Sequence, residues 1–275
     1  MRSFEIFHRY EKTWWNLREL PWDTLGKNSI TDQDVQFARA AVLGEATFLP
    51  GLHSFLEGGR DDYDLSSFVS IWAYQELQHH FAFRTWLERS GVGLNQATVD
   101  ETRPPFPEGN TLAQTLCSNL IGELVVCQSY AQVAECTSDP VLKLIFINAS
   151  ADEGRHARGF ADYTKMQIER DPDAIISVLE TLYFYAGDKR IPVRHPSGVF
   201  KGDLPPQFEG ELSISEGFEM FSEVAKVDTE RLRRRVFGAF SALTDYRLET
   251  PRDVRRAISD SLKKSEQRKS VQAQA

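Results

Sequence analysis

Apolar residues recur along this chain every three to four positions, the period of an amphipathic helix, and no stretch of useful length alternates with the two-residue period of a strand. The first stripe, Val35, Ala38, Val42 and Leu49, has Ser29 or Thr31 as its cap and Asp32 and Asp34 in its first turn, where they complement the helix dipole. Pro50 is expected to kink that helix and Gly58-Gly59 to end it. The second has Asp64 or Ser66 as its cap, presents Phe68, Trp72, Phe83 and Trp86 on one face, and stops at Ser90-Gly91. A connection over residues 91–110 carries Pro104, Pro105 and Pro107. The third stripe begins near Asn110-Thr111 and runs through Leu112, Leu116, Asn119, Val126, Cys127 and Tyr130. Ser138-Asp139-Pro140 opens the fourth with proline at the first helical position, Leu142, Ile145, Ala149, Phe160 and Tyr163 follow, and Asp171-Pro172-Asp173 breaks it.

A fifth helix is expected over roughly 173–187, a loop rich in Pro and Gly over 188–214, and two more helices near 215–247 and 250–268. The pattern predicts an all-α single domain over residues 1–275. It has a core bundle of residues 30–170, an arm of residues 1–28, additional helices over 173–268 and a polar, frayed tail over 269–275. The arm holds Trp14, Trp15 and Trp22, rings too large and apolar to be left in water, and so should lie across the bundle.

Each of the four core stripes is interrupted by charge on its inner side. Glu45 interrupts the first, Glu76 and His79 the second, Glu123 the third, and Glu153 and His156 the fourth. In Glu76-x-x-His79 and Glu153-x-x-His156 the offset of three residues turns a helix by about 300°, so carboxylate and imidazole emerge on one face. Glu45 lies 31 residues before Glu76 and Glu123 lies 30 before Glu153, so one series occurs twice. A single Glu-x-x-His is commonplace on a solvated helix face; the doubled series inside apolar stripes is not. A lone Glu on each of two helices and Glu-x-x-His on each of two others is the donor set of the ferritin-like di-iron and di-manganese four-helix bundles. The spacing therefore predicts that fold, with Glu45, Glu76, His79, Glu123, Glu153 and His156 as metal ligands.

Four carboxylates neutralise two divalent cations, which explains how such charges survive in a buried stripe. Oxygen-rich ligation with two nitrogens and no thiolate suits iron or manganese and argues against structural zinc or an iron–sulfur cluster. Asp152 and Arg155 flank Glu153, and Trp72 lies one turn before Glu76; these three are candidates for orienting the ligands. Asp152 is expected to accept a hydrogen bond from a ligand imidazole, the alternative being an ordinary surface carboxylate.

Composition narrows the class further. Apolar residues make up 41% of the 275, enough for a packed core, and no run approaches a membrane span or the apolar region of a secretory signal. Cys117, Cys127 and Cys136 have no metal-finger or Cys-x-x-Cys spacing and are expected to pack as small apolar residues in a reducing cytoplasm. The net charge of −8 is unevenly spread: from Arg231 onward 12 basic residues face 5 acidic ones, leaving 20 basic against 35 acidic before it. The acidic body argues against nucleic-acid binding. The basic end could dock an acidic partner or be a solvated helix face.

The motifs resemble the soluble, plastid-type acyl-acyl-carrier-protein (acyl-ACP) desaturases and their bacterial relatives. Gly44-Glu45-Ala46-Thr47-Phe48-Leu49-Pro50 is similar to that family's first-ligand helix. Trp72-Ala73-Tyr74-Gln75-Glu76-Leu77-Gln78-His79 is similar to its Trp-x-x-Glu-Glu-x-x-His segment, and Ala151-Asp152-Glu153-Gly154-Arg155-His156 to its Ala-Asp-Glu-x-Arg-His stretch. The likeness covers roughly residues 30–250. It implies an oxygen-dependent di-iron desaturase or oxidase acting on an acyl chain held as a thioester on a carrier protein, with a ferredoxin-type electron donor and a homodimeric assembly. Two positions depart from the family pattern: Gln75 stands where the family has a first Glu, and Val126-Cys127 stand where it places a threonine one turn beyond the Glu123 position. Val126, Cys127 and the short chain favour, as the alternative, a di-iron oxygenase of specialised metabolism (hydroxylation or N-oxygenation) with a non-fatty substrate. A third reading, from another class, is a ferritin-like iron-handling or peroxide-scavenging protein, against which the long arm and the residues after the bundle argue.

Overall fold

A computed structural model describes residues 1–96, 99, 110–186 and 228–272, and these residues form an all-helical ferritin-like bundle. Helix α1 is Arg2–Glu11, and two short 3-10 turns, Leu17–Glu19 and Trp22–Thr24, complete the arm. The bundle proper is α2 (Asp32–Ala46), continued by α3 (Phe48–Gly58), then α4 (Tyr63–Arg89), α5 (Leu112–Cys136) and α6 (Pro140–Arg170). Helices α7 (Ala174–Tyr185), α8 (Thr229–Thr244) and α9 (Pro251–Gln272) pack outside it. The loop expected over 188–214 and the start of the helix expected at 215 lie outside the described residues.

Local chemistry sets the boundaries. Thr31 opens α2 in a reciprocal capping box with Asp34, and Asp34 also accepts the Ser138 amide at 2.9 Å, tying the start of α2 to the turn before α6. Asp139 caps α6 through the amides of Val141 and Leu142, and takes the Trp86 indole N–H at 2.9 Å. Asp34 and Asp139 are both fully buried, and every such bond offsets the desolvation of a carboxylate. The cap of α4 is Asp62, not Asp64 or Ser66. Asp64 is taken by the arm instead, accepting the amides of Arg2 and Ser3 at 2.9 and 3.0 Å and the Ser3 hydroxyl at 2.6 Å. The kink assigned to Pro50 falls at Thr47: a proline at 50 cannot donate to Ala46, so α2 ends there and Pro50 sits in the first turn of α3, where no such bond is needed.

The buried apolar residues form two clusters, one around Trp72, Leu116, Phe160 and the outer helices, the other around Phe37, Phe83, Trp86 and Phe146. Helices α4 and α5 run from the first cluster to the second, while α2 and α6 run the opposite way. Helices α4 and α5 are therefore parallel to each other and antiparallel to α2 and α6, the helix directions of ferritin-like four-helix bundles.

Two expectations at the periphery need correction. Helix α9 extends to Gln272, past the tail expected to fray from 269, because Ser265 donates to Asp173 at 2.7 Å and Arg268 and Lys269 pair with the same carboxylate. The cysteines do not all pack as core residues: Cys117 is buried, Cys127 is half-buried and Cys136 is exposed at the end of α5. Among the described residues, no helix is long and apolar enough to cross a membrane.

Candidate metal centre

Between the two apolar clusters lies a polar layer to which α2 contributes at its end, just before the break at Thr47, and α4, α5 and α6 contribute near mid-length. Glu45 comes from α2, Glu76 and His79 from α4, Glu123 from α5, and Glu153 and His156 from α6, and all six are buried. Their atoms fall into two overlapping groups, Glu45, Glu76, His79 and Glu153, and Glu76, Glu123, Glu153 and His156, with the donor atoms of each group within 4.8 Å of one another. Glu76 and Glu153 belong to both. The structure thus brings together all six residues singled out in the sequence.

Both imidazoles turn Nδ1 toward the middle of the layer. His79 Nδ1 lies 3.3 Å from Glu153, 3.6 Å from Glu45 and 3.9 Å from Glu76. His156 Nδ1 lies 2.9 Å from Glu153, 3.0 Å from Glu76 and 3.4 Å from Glu123. Despite this crowding, His79 Nδ1 and Glu76 Oε1 have no hydrogen bond of acceptable geometry. Apart from the His156–Glu153 bond at 2.9 Å, donor atoms crowded together without pairing are arranged for a cation. An octahedral ion with bonds of about 2.1 Å spaces its ligands about 3.0 Å apart along edges and about 4.2 Å across, and the imidazole–carboxylate distances of 2.9–3.9 Å suit that spacing. The residues fit two divalent ions, with Glu76 and Glu153 able to bridge.

Electrostatics point the same way. Burial, reinforced by Glu153, Glu123 and Glu45, pushes the Glu76 carboxyl well above its ordinary range. Burial beside Glu153 pushes Glu123 up to about 8. Burial also opposes ionisation of Glu153, but the hydrogen bond with His156 and the nearby His79 ring hold it well below the usual range. Burial disfavours charge on His79 too, but the hydrogen bond to Asp152 and the nearby carboxylates of Glu153 and Glu45 outweigh it and raise its pKa; Glu123, Glu153 and Glu76 do the same for His156. Protons here do what a metal would do, neutralising carboxylates that cannot all remain charged in a dry layer.

The outward ring nitrogens are held in turn. Asp152 accepts from His79 Nε2 at 3.1 Å, as its position beside Glu153 suggested, and also from the Trp15 indole at 2.7 Å and from Arg155. Burial works against the Asp152 charge, but His79, His156 and Arg155 keep its pKa below the ordinary value. Trp72 donates to Glu123 at 3.0 Å, and Asn119, one turn before Glu123, donates to the same oxygen at 2.6 Å. Tyr130 donates to Glu45 at 2.5 Å. His80, next to His79 in sequence, turns away to the Val42 carbonyl.

Sequence reasoning did not assign Trp15, Tyr130, Asn119 or Gln75 to the site. Tyr130 and Asn119 lie on the inner face of α5 with Glu123, so helical phase could have found them. Trp15 could not be found in that way. The arm reaches the site by crossing the bundle: the Trp15 ring stacks on His79 at 6.2 Å between centroids, Gln78 donates to the Trp15 carbonyl at 2.6 Å, and Tyr10 approaches His156 at 6.1 Å.

No family profile matches the chain, and no curated protein matches it in sequence. Solved structures do. One is DesA2 from Mycobacterium tuberculosis, a protein provisionally described as an acyl-ACP desaturase, at 13% identity over 88% of this chain and 90% of that one, TM-score 0.56. Another is a variant of an R2-like ligand-binding oxidase with an anaerobically reconstituted Mn/Fe cofactor, at 17% identity over 90% of this chain and 94% of that one, TM-score 0.57. The same kind of oxidase without metal cofactor aligns at 15% identity over 96% of both chains, TM-score 0.54. At these identities the likeness establishes the fold.

Proposed function

We propose that the protein is a dioxygen-dependent dinuclear iron or manganese oxidoreductase that oxidises an acyl chain presented as a thioester. The observation that carries this reading is the pair of overlapping four-residue groups sharing Glu76 and Glu153 in the middle of an apolar bundle. Glu45 and His79 would help hold one ion and Glu123 and His156 the other, with Glu76 and Glu153, which belong to both groups, available to both. The metals, once bound, would supply the reductive activation of dioxygen. The rest is the work of the chain. Asp152 and Gln75 hold the imidazoles, Tyr130, Trp72 and Asn119 hold the unshared carboxylates, and Trp15 closes the His79 side against water. The acyl substrate is supported by the motif resemblance. A carrier-protein thioester, a ferredoxin-type electron donor and a homodimer remain part of the proposal, carried by the motif resemblance.

A second reading, an oxygenase with a non-fatty substrate, has its own observation. One turn beyond Glu123 the chain has Cys127, whose thiol takes a long contact of 3.6 Å from Arg235 and whose carbonyl accepts from Ser150 at 2.7 Å. A hydroxyl able to relay protons is not at that position. The test is mass spectrometry of acyl thioesters after incubation with the iron-loaded protein, a reductant and oxygen. Loss of two hydrogens supports desaturation, and gain of one oxygen atom favours the second reading. Iron oxidation with no change in any organic substrate would overturn both in favour of an iron-handling role.

A further inference from the structure

The two halves of the metal layer repeat one another, and the repeat extends one shell outward. The residue just before each shared carboxylate, Gln75 before Glu76 and Asp152 before Glu153, reaches across to the imidazole of the other half. Asp152 meets His79 Nε2 at 3.1 Å, and Gln75 Oε1 meets His156 Nε2 at 2.9 Å. The two outer residues also meet each other, the Gln75 amide donating to Asp152 Oδ1 at 3.2 Å. That bond fixes the rest. An ionised Asp152 only accepts, so the Gln75 amide nitrogen must face it, and Oε1 must face His156. His156 Nε2 is then the donor, which leaves Nδ1 as the ligating nitrogen when a metal is present.

The geometry is repeated but the charge is not. The imidazole of His79 is backed by a carboxylate, which raises the basicity of its ligating nitrogen, whereas that of His156 is backed by a neutral amide, which only orients it. The unshared carboxylates differ in the same sense. Glu123 receives two hydrogen bonds, from Trp72 and Asn119, that draw charge from it, and Glu45 receives one, from Tyr130.

We infer that the two metal positions are unequal, that the one served by Glu45 and His79 fills first and binds more tightly, and that Gln75 is the positioning residue that sets the difference. This rests on the dinuclear reading above. The test is an anaerobic calorimetric titration of the metal-free protein with Mn(II), alongside Gln75→Glu and Asp152→Asn. The wild type should give two steps separated by roughly tenfold or more, since outer partners of this kind change metal affinity about 10–100-fold. Gln75→Glu should tighten the second step and narrow the gap, and Asp152→Asn should narrow it from the other side by weakening the first. Glu123→Ala should keep the tight step while Glu45→Ala loses it. Circular dichroism of each metal-free variant confirms that the bundle is intact. Two equal steps in the wild type, or a gap unmoved by both Gln75→Glu and Asp152→Asn, would overturn the inference while leaving the dinuclear reading in place. No binding of Mn(II) or Fe(II) by the wild type would overturn the dinuclear reading itself and the inference with it.

Discussion

The apolar clusters and the polar layer between them occupy the same four helices yet obey opposite rules. In the cluster around Phe160, that ring is fully buried and lies 5.1 Å from Phe55, 5.1 Å from Phe68 and 5.5 Å from Trp72, aromatic contacts that favour the folded chain. One helical turn up α6, His156 and Glu153 are equally buried among four carboxylates, and their layer opposes folding unless protons or metal ions neutralise it. The clusters hold the helices in register so that the layer can exist, and the contrast separates residues kept for stability from residues kept for chemistry.

Replacing a residue in each region breaks the comparison most sharply. Phe160→Ala should destabilise the protein by about 3–5 kcal/mol, the usual result of emptying a large aromatic site, read by urea unfolding; a loss below about 1 kcal/mol would mean the cluster is loosely packed. Glu76→Gln should do the reverse to the metal-free protein and raise its melting temperature, because Gln is neutral without binding a proton at a site where burial and three carboxylates disfavour the Glu76 charge. A lower melting temperature in the metal-free variant would contradict this assignment of roles.

The same contrast makes metal-free stability depend on pH. Glu76 and Glu123 bind protons more tightly folded than unfolded, as do His79 and His156, so the stability they contribute is lost as pH rises, through about 8 for Glu123. Glu153 and Asp152 are shifted down, and their contribution is lost instead as pH falls below the ordinary carboxylate range. With chelator present, the melting temperature should be higher near pH 5.5 than near pH 8.5, by several degrees, and added metal should erase most of the difference because it displaces the protons. A flat profile in chelator would mean that the layer is already neutralised in another way.

Asp152→Ala sharpens the boundary between the layer and its support. It should retain most of the bound metal and lose turnover roughly 10–100-fold, the usual effect of removing an outer partner of a ligand imidazole. Unchanged turnover would leave the four contacts of Asp152 structural. Trp15→Phe, which keeps the stacked ring but removes one of those contacts, should have a smaller effect in the same direction.

The smallest effect belongs to the basic run on the outer side of α8. Arg235 leans toward Cys127 and Arg233 bonds the Glu249 carbonyl, so Arg231 and Arg234 are the exposed members of the run. Reversing Arg231 and Arg234 to Glu should slow association with an acidic carrier or donor and weaken its salt dependence, since exposed charges act through screened fields. Unchanged association rates at low and high salt would make this a solvated helix face.

Much of this was legible in the sequence because helices advertise themselves locally. Thr31, Asn110-Thr111 and Asp139-Pro140 mark starts by chemistry contained within a few residues, and Glu-x-x-His brings two groups onto one face by helical phase alone. The reading went astray where a residue had a distant competitor. Asp64 looked like a cap until the arm claimed it, and the end of α9 looked frayed because Asp173, its anchor, lies 92 residues from Ser265. Trp15 on His79 and the exchange of Gln75 and Asp152 across the halves are consequences of how helices pack, which no local pattern encodes.

The central claim, that the buried layer is a dinuclear metal site, is tested most directly by counting metals. Protein reconstituted anaerobically with Fe(II) or Mn(II), freed of excess and analysed for its elements should hold two ions per chain, and Glu153→Ala should hold essentially none while keeping the helical content of the wild type. Two ions per chain in the wild type and their loss in a folded variant are the predicted result. One ion or fewer in fully reconstituted wild-type protein, or full loading of Glu153→Ala, would contradict it.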